Sequence, residues 1–149
     1  MAEFFKGVGK IKYEGPKSKN PLAFKHYNAD QKVEGKTMAQ QLRFSVAYWH
    51  TLCNGGADQF GSATRQMPWA VDDPMETARN KVQACFEFCE KLGLEYYCFH
   101  DRDVAPEGDT FAQTNRNLDE IVGLLKKEQR RTGMKPLWGT ANLDRKSVV

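Results

Sequence analysis

Two helical stripes, each set between short apolar runs, constrain this chain more than any other feature. From residue 73 the helix signals come in order: Asp73 as cap, Pro74 in the first turn and Glu76 three residues after the cap. Met75, Ala78, Val82, Cys85, Phe86, Cys89 and Leu92 then recur at about the 3.6-residue period of an amphipathic helix, and Gly93 is placed to stop it. A second stripe, Phe111, Thr114, Leu118, Ile121, Val122 and Leu125, follows a cap at Asp109 or Thr110 and ends at Gly133. Around these helices lie "LRFSVAYWHTLC" (42–53), read as a buried strand, "LEYYCF" (94–99, closing at His100), read as a second strand, and "KPLWGTANL" (135–143), read as a third apolar strand. Strand and helix alternate, which predicts an α/β fold of parallel strands joined by right-handed crossovers. A helical turn at "TMAQQ" (37–41) is expected just before the first strand.

The remaining segments set the boundaries. Residues 1–36 scatter Gly7, Gly9, Gly15, Pro16, Pro21 and Gly35 among lysines, and read as an irregular arm that must lie on something to be ordered. The α/β domain is placed at 37–143 and a divergent tail at 144–149. With 149 residues the chain fits one domain with a real core, and 40% hydrophobic with 28% charged residues is the balance of a soluble globular protein. A net charge of +3 without a basic stripe does not indicate nucleic-acid binding. No run has the length of a membrane span or a signal-peptide core, so the cytoplasm is the expected compartment. Cys53, Cys85, Cys89 and Cys98 lack the spacing of a zinc site and read as buried free thiols in a reducing compartment.

Candidate chemistry gathers where ligands collect in α/β folds, at the C-terminal ends of parallel strands. Trp49 and His50 close the first strand, "HDRD" (100–103) the second, and Trp138 to Asn142 the third. His100 is either a proton shuttle oriented by Asp103 or a histidine satisfied by a loop carboxylate. Asp101 and Asp103 are too few for a complete hard-cation site. Trp49 and Trp138 are either aromatic walls for a sugar or core tryptophans. Thr140 and Asn142 serve equally as ligand contacts or turn caps. Phe60, in a loop of small and polar residues, is exposed unless it inserts into a neighbouring subunit.

Four strings together, "GKTMAQQLRFSVAYWHT", "YCFHDRDVAPEGDT", "TNRNLDEIV" and "WGTANL", resemble the N-terminal part of class II bacterial xylose isomerases, over about residues 4–143. The resemblance implies a partial TIM barrel of about three parallel β-α units after the N-terminal arm. It implies interconversion of xylose and xylulose with two divalent cations (Mg, Mn or Co), in a dimer or tetramer. It gives His100 the role of handling a proton during sugar-ring opening and Asp103 that of orienting it. Trp49, Trp138 and Thr140 are implied at the substrate, with Phe60 reaching a neighbouring subunit's site. Departures are Met67-Pro68-Trp69, where the family has Arg-Pro-Trp, and the ending "DRKSVV".

The family's metal ligands lie on later strands, so no cofactor is expected to be encoded here. The expectation is therefore a truncated relative, weak or inactive alone. The alternative is a non-catalytic oligomeric barrel fragment that at most binds sugar. Open sheet edges predict a homodimer or larger assembly.

Overall fold

The computed structural model describes residues 3–141. The proposed tail 144–149, together with Asn142 and Leu143, lies outside them. The described residues form a mixed α/β unit around a three-stranded parallel sheet: β3 (Ser45–Ala47), β4 (Tyr96–His100) and β5 (Lys135–Thr140), in the order β3-β4-β5. A minor hairpin precedes it, β1 (Lys32–Val33) with β2 (Lys36–Thr37), followed by the short α1 (Met38–Gln41). Thr37 caps α1 in a complete capping box with Gln40, as the expected turn requires.

The two long helices stand where the stripes place them. α3 (Pro74–Leu92) starts at Asp73, whose side chain accepts from Met75 N, and α5 (Phe111–Thr132) starts at Thr110, which accepts from Gln113 N. Each ends on a glycine in the left-handed conformation, Gly93 and Gly133. Their inner stripes meet over one face of the sheet. Val82, Phe86 and Cys89 from α3 and Ile121 and Leu125 from α5 join Tyr97, Tyr48 and Val46 in a single core. Burying each large apolar side chain there contributes about 1.5–3 kcal/mol against leaving it in water. Arg131 ties the helices at their C-terminal ends, bidentate to Glu90 at 2.9 and 2.8 Å and bonded to the buried Glu128 at 2.6 Å.

The N-terminal arm does lie on something. Glu87 on α3 accepts from the backbone N–H of Phe4 and Phe5, and both rings pack on Trp69, whose indole donates to the Leu52 carbonyl at 3.0 Å. Two readings need correction. The run 42–53 is not one strand: β3 covers Ser45–Ala47 only, and the chain turns at once into α2 (Tyr48–Thr51). The Tyr48 carbonyl takes both Leu52 N and Cys53 N, and burial of Tyr48 inside this turn outweighs the strand preference of its aromatic neighbours. Cys85, Cys89 and Cys98 are buried free thiols, but Cys53 is exposed because α2 carries it past the core.

Sheet register holds the detail that matters most for function. Tyr96 pairs with Lys135 and Tyr97 with Pro136, but Cys98 pairs with Trp138, so Leu137 is one extra residue in β5. Pro136 has no N–H to give the ladder, which makes this a natural place for it to slip. A bulge re-aims the side chains beyond it. Trp138 and Thr140 consequently share the face of Cys98 and His100, away from the helices, while Gly139 falls opposite Phe99 on the packed face.

Candidate active site at the sheet's C-terminal edge

β4 ends at His100 and passes directly into the four-residue α4 (Asp101–Val104). Asp103 Oδ2 accepts from His100 N at 2.7 Å and lies 2.9 Å from His100 Nδ1. A carboxylate offers lone pairs, so the ring hydrogen belongs on Nδ1 and the neutral ring keeps its lone pair on Nε2. The histidine is about one-third exposed, and Asp103 is half as exposed, which leaves the outer edge of the imidazole reachable.

Two indoles flank this pair. Trp49 lies 4.9 Å from the His100 ring and 5.3 Å from Trp138, and Trp138 meets His100 edge-on at 5.7 Å. The α2 turn and the β5 bulge, neither visible in strand periodicity, bring these rings together. Thr140 stands in register with His100. His50 is exposed with its ring 5.7 Å from Trp49. Phe60 is 87% exposed, in a loop where Asp58 accepts from Phe60 N and Gly61 N, and among the described residues it makes no ring contact with the cluster.

The acidic turn does not fit a resident cation. Asp103 Oδ2 is taken twice by His100, while Asp101 Oδ1 accepts from Arg102 N and its Oδ2 faces the Arg102 guanidinium at 3.5 Å. Among the described residues no group of three or more His, Cys, Asp or Glu side chains is placed to hold a metal.

Behind the pair sits a residue that sequence reasoning missed. Lys81 of α3 donates a short hydrogen bond to the Asp103 carbonyl and approaches Cys53 Sγ at 3.6 Å. Cys53 Sγ lies 3.5 Å from the same carbonyl; although the residue is exposed, partial desolvation of its thiol raises the pKa, with Lys81 working against that rise. The signal was present in the stripe: Lys81 follows Ala78 by three and precedes Cys85 by four, a charged residue beside the inward face.

No family model matches the chain. Curated relatives do. The chain is 56% identical to the xylose isomerase of Thermoanaerobacterium thermosaccharolyticum over 144 residues, which is 96% of this chain and 33% of that protein. It is 55% identical to the xylose isomerase of Thermoanaerobacter sp. strain X514 and 51% to that of Bacteroides fragilis, each over 142 residues and 32% of the relative. Identity above one half across nearly all of this chain makes these proteins its homologues. The chain spans about a third of the length of the curated relatives it matches.

Proposed function

We propose, on the premise that the chain is a xylose isomerase homologue, that it carries the sugar-facing and proton-handling share of an aldose–ketose isomerase site, with D-xylose and D-xylulose as the substrate pair. The observation that carries this reading is the His100–Asp103 pair set against Trp49 and Trp138. Indole faces give a flat apolar surface for the C–H faces of a sugar, and Thr140 adds a hydroxyl in register with the histidine. Asp103 holds Nδ1, so Nε2 takes the proton of a sugar hydroxyl as the ring opens and returns it to the ring oxygen. The two divalent cations implied by the family do not fit the described residues, among which no three His, Cys, Asp or Glu side chains are grouped to hold a metal.

The parallel β3-β4-β5 order, with helices on one face and polar and aromatic residues at the strand ends, supports reading the unit as three β-α units of a TIM barrel. Among the described residues both outer strands are open edges, and β5 is exposed along its whole length, including Leu137 and Trp138 at 40% and 41%. That supports a homodimer or larger assembly. Alone, the chain turns over xylose weakly or not at all.

Titration with xylose, followed through the indole N–H signals of Trp49 and Trp138, tests the site. Both signals move together in the wild type, and Trp138→Ala weakens binding. Xylose-dependent shifts confined to other residues would overturn the reading, and robust cation-dependent xylulose formation by the chain alone would overturn its weakness. Light scattering checks the assembly, which a stable monomer would refute.

A further inference from the structure

We propose that Lys81 is a positioning residue: its ammonium pins the Asp103 carbonyl and so holds the Asp103 carboxylate on His100. The proposal rests on the His100–Asp103 reading above and extends it to the helix behind the site.

The need for such a pin follows from the size of α4. Four residues make one turn, and a single turn fixes many dihedrals for few hydrogen bonds, so it does not persist unaided. At its C-terminal end it is closed by Ala105 N donating to Asp101 O at 3.1 Å. The Asp103 carbonyl lies in the last turn, where a helix has no internal partner to offer. A cation is the favoured partner at that end, and Lys81 reaches it from α3. Asp103 is thus held from both sides, its carboxylate by His100 and its carbonyl by Lys81.

The same ammonium reaches toward the second half of the site. Cys53 Sγ is 3.6 Å from Lys81 Nζ, and Cys53 N bonds to the Tyr48 carbonyl to close the turn that carries Trp49. One side chain on a long, well-packed helix therefore braces both short turns whose residues meet at His100. Val82, its neighbour on α3, is fully buried, so the base of this strut is anchored in the core. A charge-assisted bond of this kind is stronger than a neutral one, and a methionine of similar length cannot make it.

The test reads the ring hydrogen of His100 rather than activity. Nitrogen-15 spectra of the full chain at about pH 8.5, above the reference histidine range, distinguish Nδ1–H from Nε2–H. The three histidines are assigned with single His→Asn variants. In the wild type Nδ1–H dominates. In Lys81→Met the ratio of Nδ1–H to Nε2–H falls by about tenfold or more, while Lys81→Arg keeps the wild-type ratio. Should Met prevent folding, Lys81→Gln carries the same measurement. A Met or Gln variant that loses thermal stability but keeps the wild-type ratio makes Lys81 merely structural and overturns the proposal. A wild type without the Nδ1–H form would overturn the underlying pair as well, so the two failures are told apart by which protein shows them.

Discussion

Gly139 offers the sharpest test of the packing behind the site. A Cβ added there would lie 2.9, 3.1 and 3.4 Å from three carbons of the Phe99 ring. Carbon contacts are favourable at about 3.5–4.0 Å, so the ring must retreat by up to roughly 1 Å. It has little room to do so. Phe99 stacks on Tyr97 at 5.9 Å and 19°, and Tyr48 stands 6.3 Å from Phe99 and 6.2 Å from Tyr97, so the three rings pack as one cluster. Both tyrosines are fully buried. Overpacking of this kind costs about 1–3 kcal/mol, so Gly139→Ala should destabilise by that amount and lower the midpoint of thermal unfolding by about 3–10 °C.

Gly123 provides the opposite case on the same chain. It is exposed in α5, and a Cβ there meets nothing within 4 Å. Gly123→Ala should therefore stabilise by about 0.5–1 kcal/mol through helix propensity and a less free unfolded state. Urea unfolding followed by tryptophan fluorescence measures both. Adding Phe99→Leu to Gly139→Ala should recover stability relative to the sum of the single changes, a coupling of about 0.5–3 kcal/mol. Wild-type stability in Gly139→Ala, or strict additivity with Phe99→Leu, would refute the contact as the reason for glycine.

Other perturbations follow from named pairs. Burial pushes the Tyr97 hydroxyl up to about 12, with the 2.6 Å bond from Gln129 working against the rise. The folded-state value lies above the ordinary tyrosine value of about 10, so this stabilisation is complete below pH ~10 and is lost as pH rises towards ~12. Ultraviolet titration should find a late tyrosine, later still in Gln129→Leu, and one titrating at the ordinary value would count against this packing. Arg131→Met leaves the buried Glu128 without its 2.6 Å partner and should cost about 1–3 kcal/mol in urea unfolding, nearly all from Glu128 because the more exposed Glu90 pair is screened. Glu128→Gln in the Met background should return part of that loss.

How much of this was legible depended on whether the cause was local. The caps at Asp73 and Thr110, the stripes through Val82 and Ile121, and the stops at Gly93 and Gly133 act within a few residues of themselves, so spacing alone exposes them. Parallel pairing followed because helices of that length between strands leave it as the compact solution. The first strand was misread because "SVAYWH" has strand composition throughout. Its outcome rests on where Tyr48 is buried, which is a property of α3 and β4 and not of the run itself. Phe60 shows the converse, a residue whose described neighbours do not explain its exposure.

The site depends on a relation no single segment contains. Period-two reading of β5 separates Pro136, Trp138 and Thr140 from Leu137 and Gly139, but says nothing of which set faces His100. Without the extra residue at Leu137, continuing the ladder from Tyr97 and Pro136 would set Cys98 against Leu137 and His100 against Gly139. Trp138 would then point into the packed face, where Phe99 already fills the space above a glycine. The bulge and the glycine are therefore one device: Pro136 lets the ladder slip, Leu137 absorbs the slip, and Gly139 leaves Phe99 its place while Trp138 and Thr140 turn to the histidine. A histidine, an aspartate and two tryptophans were visible as candidates in the sequence; what makes them neighbours is one unpaired residue on the edge strand.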